Sequence, residues 1–154
     1  MSNRFVNQID LNRIETLNVT CAPWRFRCGS VAGMSAFANL SQLGPLAIWP
    51  GVLARVVQGA QITMAVVELS PNGVVSEHAH QNEQLGMVVQ GSMTFRIGGE
   101  RRELVAGDTY VIPSNVPHDV VAGREGAVAI DVFSPVRADW GRHATVPAQP
   151  PLWP

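Results

Sequence analysis

"GVVSEHAHQNEQLGMVVQG", residues 73–91, is the stretch whose reading decides the fold of this 154-residue chain. A short apolar run ends at His78 and His80, a polar turn follows, and a second apolar run begins. Side chains at i and i+2 on a strand project to the same side. The spacing therefore predicts two imidazoles side by side where a strand ends, in a chain with only four histidines.

Outward from this stretch the same grammar repeats. Upstream, "VLARVVQ" (52–58) and "ITMAVVEL" (62–69) read as strands, joined to the histidine strand by the turn "SPNG" (70–73). Downstream, "LGMVVQ" (85–90) and "SMTFRI" (92–97) read as two strands, and "GG" (98–99) as a two-residue hairpin loop before "ERREL" (100–104). "DTYVIP" (108–113), "HDVVA" (118–122) and "AVAIDVF" (127–133) complete the series, with "GREG" (123–126) as a turn. Short apolar runs separated by turn signals every ~8–12 residues point to a sandwich or barrel. No segment between 46 and 134 carries a sustained period of 3.6, so this region reads as all-β.

The length suits one domain. The barrel core is expected at about 46–134, preceded by an N-terminal extension (1–45) and followed by a C-terminal arm (135–154). In the extension, "DLNRIETL" suits a short helix or an edge strand, Trp24 and Phe26 are expected to pack on the body, and 37–44 reads as a loop. The prolines of "VPAQPPLWP" make the end of the arm extended, with Trp153 as an anchor.

Eleven basic and twelve acidic residues leave a net charge of −1. With no basic stripe, nucleic acid is not an expected partner. The polar start "MSNRFVNQID" and the lack of a long apolar run argue against a membrane and for a cytoplasmic protein. Cys21 and Cys28 match neither a CxxC motif nor a zinc knuckle and read as two thiols in a reducing compartment.

Imidazole is the commonest biological metal ligand. His118 follows the first pair by about 40 residues and begins another strand, which suits a site assembled from separate strands. Gln84 lies beyond the "QNE" turn and its carbonyl oxygen can supply a fourth ligand. Glu83 competes for that place, although on a strand it points away from the side taken by Gln84. His143, in "GRHATVP", reads as surface.

With these residues in place the sequence resembles the cupin family. Gly73, His78, His80, Gln84 and Gly91 match its first motif; Gly107, Pro113 and His118 match its second. The departures are a spacer between Gly73 and His78 one residue short, Asn115 for the second-motif glycine, Ala122 where asparagine is common, and Gln84 for the usual glutamate. Asparagine is the next most tolerant residue for a left-handed turn, so the loop is expected to survive. Within the family the chain is similar to small cupins of the pectin-degradation type, in which three histidines and a glutamine hold the ion. "FSPVRADW" (133–140) resembles an ending seen in such cupins. The resemblance implies a double-sheet jelly roll, one divalent metal ion (Zn, Mn, Ni or Fe) on His78, His80, Gln84 and His118, and a homodimer.

Three neutral imidazoles and a neutral amide leave a divalent ion its full charge, which favours Lewis-acid work and disfavours an oxidised metal. The expected activity is that of a metal-dependent isomerase or lyase polarising a carbonyl or enol of a small oxygenated substrate such as a sugar acid. A metal-dependent dioxygenase and a non-catalytic ligand- or metal-binding cupin are the alternatives. Met64, Val66, Met87, Phe95, Tyr110, Asp131 and Phe133 are candidates for the pocket wall. Asp131, alone in the apolar run "AVAIDVF", is a candidate catalytic base or histidine-orienting acceptor, and Tyr110 is the second candidate catalytic residue. Arg55 and Arg96 can meet an acidic substrate, and solvent exposure is the expected place for both.

Overall fold

The computed structural model describes residues 37–153. The expectations for Cys21, Cys28, Trp24, Phe26 and "DLNRIETL" lie outside the described residues. Eight strands carry the described part: β1 (Leu46–Trp49), β2 (Val52–Gln58), β3 (Thr63–Leu69), β4 (Val74–His78), β5 (Glu83–Ile97), β6 (Glu100–Val105), β7 (Thr109–Ile112) and β8 (His118–Ser134). All pairings are antiparallel. Two 3₁₀ turns, Leu40–Gln42 and Ala138–Arg142, flank them. Among the described residues no helix is long and apolar enough to cross a membrane.

β5 and β8 organise the rest. The first half of β8 pairs with β4 and with the second half of β5; the second half of β8 pairs with β3 and with the first half of β5. β7 and β6 add to the two halves of β5, and β1 and β2 extend from β3. Two long strands thus pass through both layers of a jelly roll. The all-β reading and the jelly-roll fold hold.

Two long strands replace four expected short ones. "LGMVVQ" and "SMTFRI" are one strand, and "GREG" is the middle of β8 rather than a turn. The glycines bend the ladder without ending it. The register of β5 on β8 shifts on either side of Gly91, and Gly91 and Gly126 have φ of 73° and 79°. A Cβ at Gly91 would lie 2.2 Å from the Gly126 carbonyl oxygen. Only glycine permits both that backbone angle and that approach, so these residues form the corner where the strands cross between layers.

Period-2 alternation sorts the side chains. Ala54, Ala65, Val67, Leu69, Val88, Met93, Phe95, Val120, Ala129 and Phe133 belong to one buried cluster. On the opposite face Val57, Met64, Val132, Leu85 and Val111 stand directly across from one another on β2, β3, β8, β5 and β7. Met64 and Met87, expected in the pocket wall, are on this outer face at 37% and 40% exposure. Val66 is buried there too, paired with Arg55.

Arg55 overturns its expected exposure. It is fully buried, with Nε donating to Glu68 Oε1 at 3.0 Å and Nη1 to the Leu43 carbonyl at 2.8 Å. Arg96 pairs with Glu77 and Asp119 on the rim. The arm is not extended throughout: Trp140, in the 3₁₀ turn Ala138–Arg142, is buried against Phe133. Beyond it Leu152 N–H donates to Glu68 Oε1 at 3.3 Å, and Trp153 is half-buried.

Candidate metal centre

His78, the last residue of β4, lies directly opposite His118, the first of β8. His80 falls just past the end of β4 rather than on it. The second-motif loop holds it there: Asn115, at φ 63°, donates its N–H to the His80 carbonyl at 2.8 Å, and Ser114 Oγ donates to the Gln81 carbonyl at 2.6 Å. Asparagine therefore serves in the left-handed position as expected. Asn82, buried in the segment between β4 and β5 that carries His80, donates to the Pro135 and Val136 carbonyls.

The three rings converge. Their centroids are 4.1 Å apart for His78 and His118, 5.0 Å for His80 and His118, and 5.8 Å for His78 and His80. One ligand atom from each lies within 4.8 Å of the others. In all three the Nδ1 meets a backbone carbonyl: Ser76 at 2.9 Å, Asn82 at 2.9 Å and Val116 at 2.8 Å. A carbonyl only accepts, so each Nδ1 carries the proton and each Nε2 keeps a bare lone pair. Burial opposes a second proton. It lowers His118 to about 4 and lowers His78 and His80, helped at His80 by the Arg137 charge.

Gln84 enters from β5, buried, while its neighbour Glu83 is exposed. Its Nε2 donates to Asp131 Oδ1 at 2.8 Å, and its Oε1 lies 3.2 Å from His80 Nε2. Both facing atoms at 3.2 Å are acceptors. Nothing between them donates, and a cation satisfies both. Ligand nitrogens and oxygens stand about 2.0–2.2 Å from a zinc-sized ion, hence roughly 3.3–3.6 Å from one another in a tetrahedral set, so histidine atoms that lie within 4.8 Å of one another reach a divalent ion by drawing together by up to about an ångström. The residues present fit the implied metal.

Asp131 and Tyr110 meet beneath this set, where Tyr110 O–H donates to Asp131 Oδ1 at 2.7 Å. Burial pushes Asp131 up to about 6, against the pull of its bonds from Tyr110 and Gln84. Burial also raises the Tyr110 hydroxyl well above its usual range, with the Asp131 charge adding to it. Gly86 pairs with Tyr110 on one side and Asp131 on the other, and a Cβ there would lie 2.2 Å from the Tyr110 ring.

The sequence reading missed Arg137. It lies 6% exposed on the wall of a cavity of about 60 Å³ that His78, Gln84 and His118 also line. Phe95, Tyr110 and Phe133 line it as expected; Met64, Val66, Met87 and Asp131 do not. Arg137 donates from Nε and Nη2 to the two oxygens of Asp139, at 3.0 and 2.8 Å. Its guanidinium lies over the Phe133 and Trp140 rings, 5.0 and 4.6 Å from their centroids. The signal in the sequence was "RADW", an arginine, a carboxylate and a tryptophan within four residues. A groove of about 490 Å³ along β6 and β7 contains none of the histidines. Chemistry, not size, marks the site.

Residues 65–133 match the cupin domain family. The pectin degradation protein KdgF of Dickeya dadantii (strain 3937) is 39% identical over 80 residues, which cover 51% of this chain and 73% of that protein. The H2HPP isomerase of Bacillus subtilis is 37% identical over 49 residues, 31% of this chain and 21% of that protein. The solved structure of KdgF from Halomonas sp. superimposes with a TM-score of 0.58 at 31% identity, covering 62% of this chain and 90% of that one. The two motifs, the jelly roll and the convergent histidines thus accompany likeness over most of a known relative's length, and the chain belongs to the cupin family.

Proposed function

We propose that this chain is a metal-dependent enzyme that isomerises or cleaves a small oxygenated acid by polarising its carbonyl or enol oxygen. One observation carries the reading. One ligand atom from each of three imidazoles lies within 4.8 Å of the others, each Nδ1 is engaged by a backbone carbonyl, and the Gln84 amide oxygen lies 3.2 Å from His80 Nε2. His78, His80, His118 and Gln84 would hold the ion. When bound, the ion supplies Lewis acidity undiminished by an anionic ligand.

The chain's own groups do the rest. The buried histidines stay neutral and available at neutral pH. Arg137 brings a fixed positive charge to the cavity wall, its planes held by two aromatic rings, and this suits the carboxylate of a sugar acid. Tyr110, Phe95 and Phe133 form a largely apolar floor that excludes water. The cavity of about 60 Å³ suits a small reacting group, with the remainder of the substrate at the mouth. A relative named for pectin degradation and another named an isomerase support this substrate class and reaction type. The neutral donor set favours polarisation over dioxygen activation, because no anionic ligand offsets an added charge.

The test is conversion of an unsaturated uronate by metal-loaded protein, followed by proton NMR. Turnover that disappears in His78→Ala and His118→Ala is the expected result. Full turnover by metal-stripped protein, or oxygen uptake stoichiometric with product, would overturn it.

A further inference from the structure

We propose that Asp131 is a positioning residue. Braced by Tyr110 across Gly86, it holds the Gln84 amide with its oxygen toward the histidines, and it makes glutamine rather than glutamate the side chain that fits at position 84. The inference rests on the reading of Gln84 as the fourth ligand and explains why that ligand departs from the family's usual glutamate.

A glutamine amide has two nearly isosteric orientations. In one its oxygen faces the histidines; in the other its N–H₂ does, aiming hydrogens at the point where the lone pairs converge. Asp131 Oδ1 lies 2.8 Å from Gln84 Nε2, and at the other end of the same amide Gln84 Oε1 lies 3.2 Å from His80 Nε2. Turning the amide over would set its oxygen against the Asp131 carboxylate at 2.8 Å, two acceptors with no donor. The carboxylate thus selects the orientation that a metal needs. A glutamate at 84 would place an oxygen where the N–H₂ now donates.

Asp131 is itself held. Tyr110 O–H reaches the same oxygen at 2.7 Å from two strands away. Tyr110 on β7, Gly86 on β5 and Asp131 on β8 stand in one cross-strand row. The tyrosine ring crosses the middle strand through the space a Cβ at residue 86 would fill. Gly86, which no turn or positive φ requires, is thereby accounted for. Outer-shell partners of this kind typically change metal affinity about 10–100-fold.

The experiment is a Mn(II) titration of the full chain, with free Mn(II) read from its EPR signal, for wild type, Gln84→Ala, Asp131→Asn and the double variant. Asparagine at 131 can turn its own amide to meet either end of Gln84, so the selection is lost. Gln84→Ala and Asp131→Asn are each expected to weaken binding about 10–100-fold, and Asp131→Asn is expected to add nothing in the Gln84→Ala background. Tyr110→Phe, which removes one brace and leaves the fold's apolar contacts, is expected to weaken binding severalfold and serves if Asp131→Asn does not fold. Wild-type affinity in Asp131→Asn and in Tyr110→Phe, with Gln84→Ala weakened, overturns the inference and leaves the fourth-ligand reading standing. A loss from Asp131→Asn that persists in full without Gln84 also overturns it, since Asp131 would then act by its charge alone. Wild-type affinity in Gln84→Ala overturns the fourth-ligand reading and the inference together.

Discussion

Arg55 and Arg137 are both buried, at 0% and 6% exposure, yet the barrel treats their charges differently. Arg55 lies on the outer face of β2, and its charge is met by Glu68, itself buried. Glu68 also accepts the Leu152 N–H, and Arg55 also donates to the Leu43 carbonyl. The pair therefore fastens the segment before β1 and the end of the arm to the same outer face. Arg137 is held by Asp139, whose side chain is 52% exposed, and by the faces of two aromatic rings. It also lines the cavity that His78, Gln84 and His118 share. Burial alone does not distinguish a clamp from a binding group. What distinguishes them is whether the partners close around the charge or leave one side of it toward open space.

The comparison breaks most easily at Arg55. Replacing it with methionine leaves Glu68 buried without its cation, and such a loss costs about 3–5 kcal/mol. Denaturant unfolding of Arg55→Met should show that loss, while Mn(II) affinity of the protein that remains folded stays within about threefold of wild type. Restoring much of the stability with Arg55→Met and Glu68→Leu together would confirm that the pair is a closed clamp. A stable Arg55→Met that no longer binds metal would mean that the outer pair supports the site.

Arg137→Lys sharpens the other side. Lysine keeps the charge and loses the planar fork and the stacking. Stability should fall by about 1 kcal/mol, the scale of a cation–π contact. Turnover of an acidic substrate, measured as kcat/KM, should fall about 10–100-fold, or about 1.4–2.7 kcal/mol. Equal turnover of an acid and its neutral ester by the wild type would remove Arg137 from the substrate.

The next difference is between protons inside the barrel. His118 is lowered from 6.5 to about 4. As pH falls through that window the unfolded chain takes up a proton that the folded chain refuses, so stability falls. Asp131 is raised from 3.8 to about 6. As pH falls from 6 toward 3.8 the folded chain takes up a proton before the unfolded chain does, so stability rises. The two contributions oppose each other over much of the same range, and His78 and His80, both lowered, add to the loss on the acid side. The metal-free protein is therefore expected to lose stability gradually from pH 6.5 to pH 4, and Asp131→Asn, stripped of the compensation, to lose it more steeply. Thermal unfolding of both proteins across that range checks the sign. Parallel curves would show that Asp131 does not titrate within the fold.

How much of this could be read from the chain follows the same division between local and assembled properties. His78, His80, Gln84 and His118 were legible because strand periodicity and family spacing are local; the fold brings the three histidines together and sets Gln84 against His80. Asn115 was legible because the left-handed region tolerates few residues. Gly91 and "GREG" were misread because glycine marks a turn and a bulge with the same letter; only the ladder continuing on both sides tells them apart. Arg55 was misplaced because nothing in "VLARVVQ" shows that residues 43 and 152 return to cover its outer face. Arg137 was missed because a residue just past the last strand reaches the cavity only after Trp140 and Phe133 have packed.

The smallest expected effect tests alternation itself. Gln84 and Leu85 are adjacent on β5 and face opposite ways, the first buried among the ligands and the second 48% exposed among outer-face apolar residues. A one-residue slip of β5 would exchange them. Leu85→Ser should therefore change stability by no more than about 0.5 kcal/mol, as for a surface position, and should leave Mn(II) affinity unchanged, in contrast to Gln84→Ala one residue away. Because Leu85 shares its backbone hydrogen bonds with the site strand but none of its side-chain contacts with the ligands, a loss of metal affinity in Leu85→Ser would mean that the outer face controls the register of β5. The separation between a structural outside and a chemical inside would then have to be abandoned.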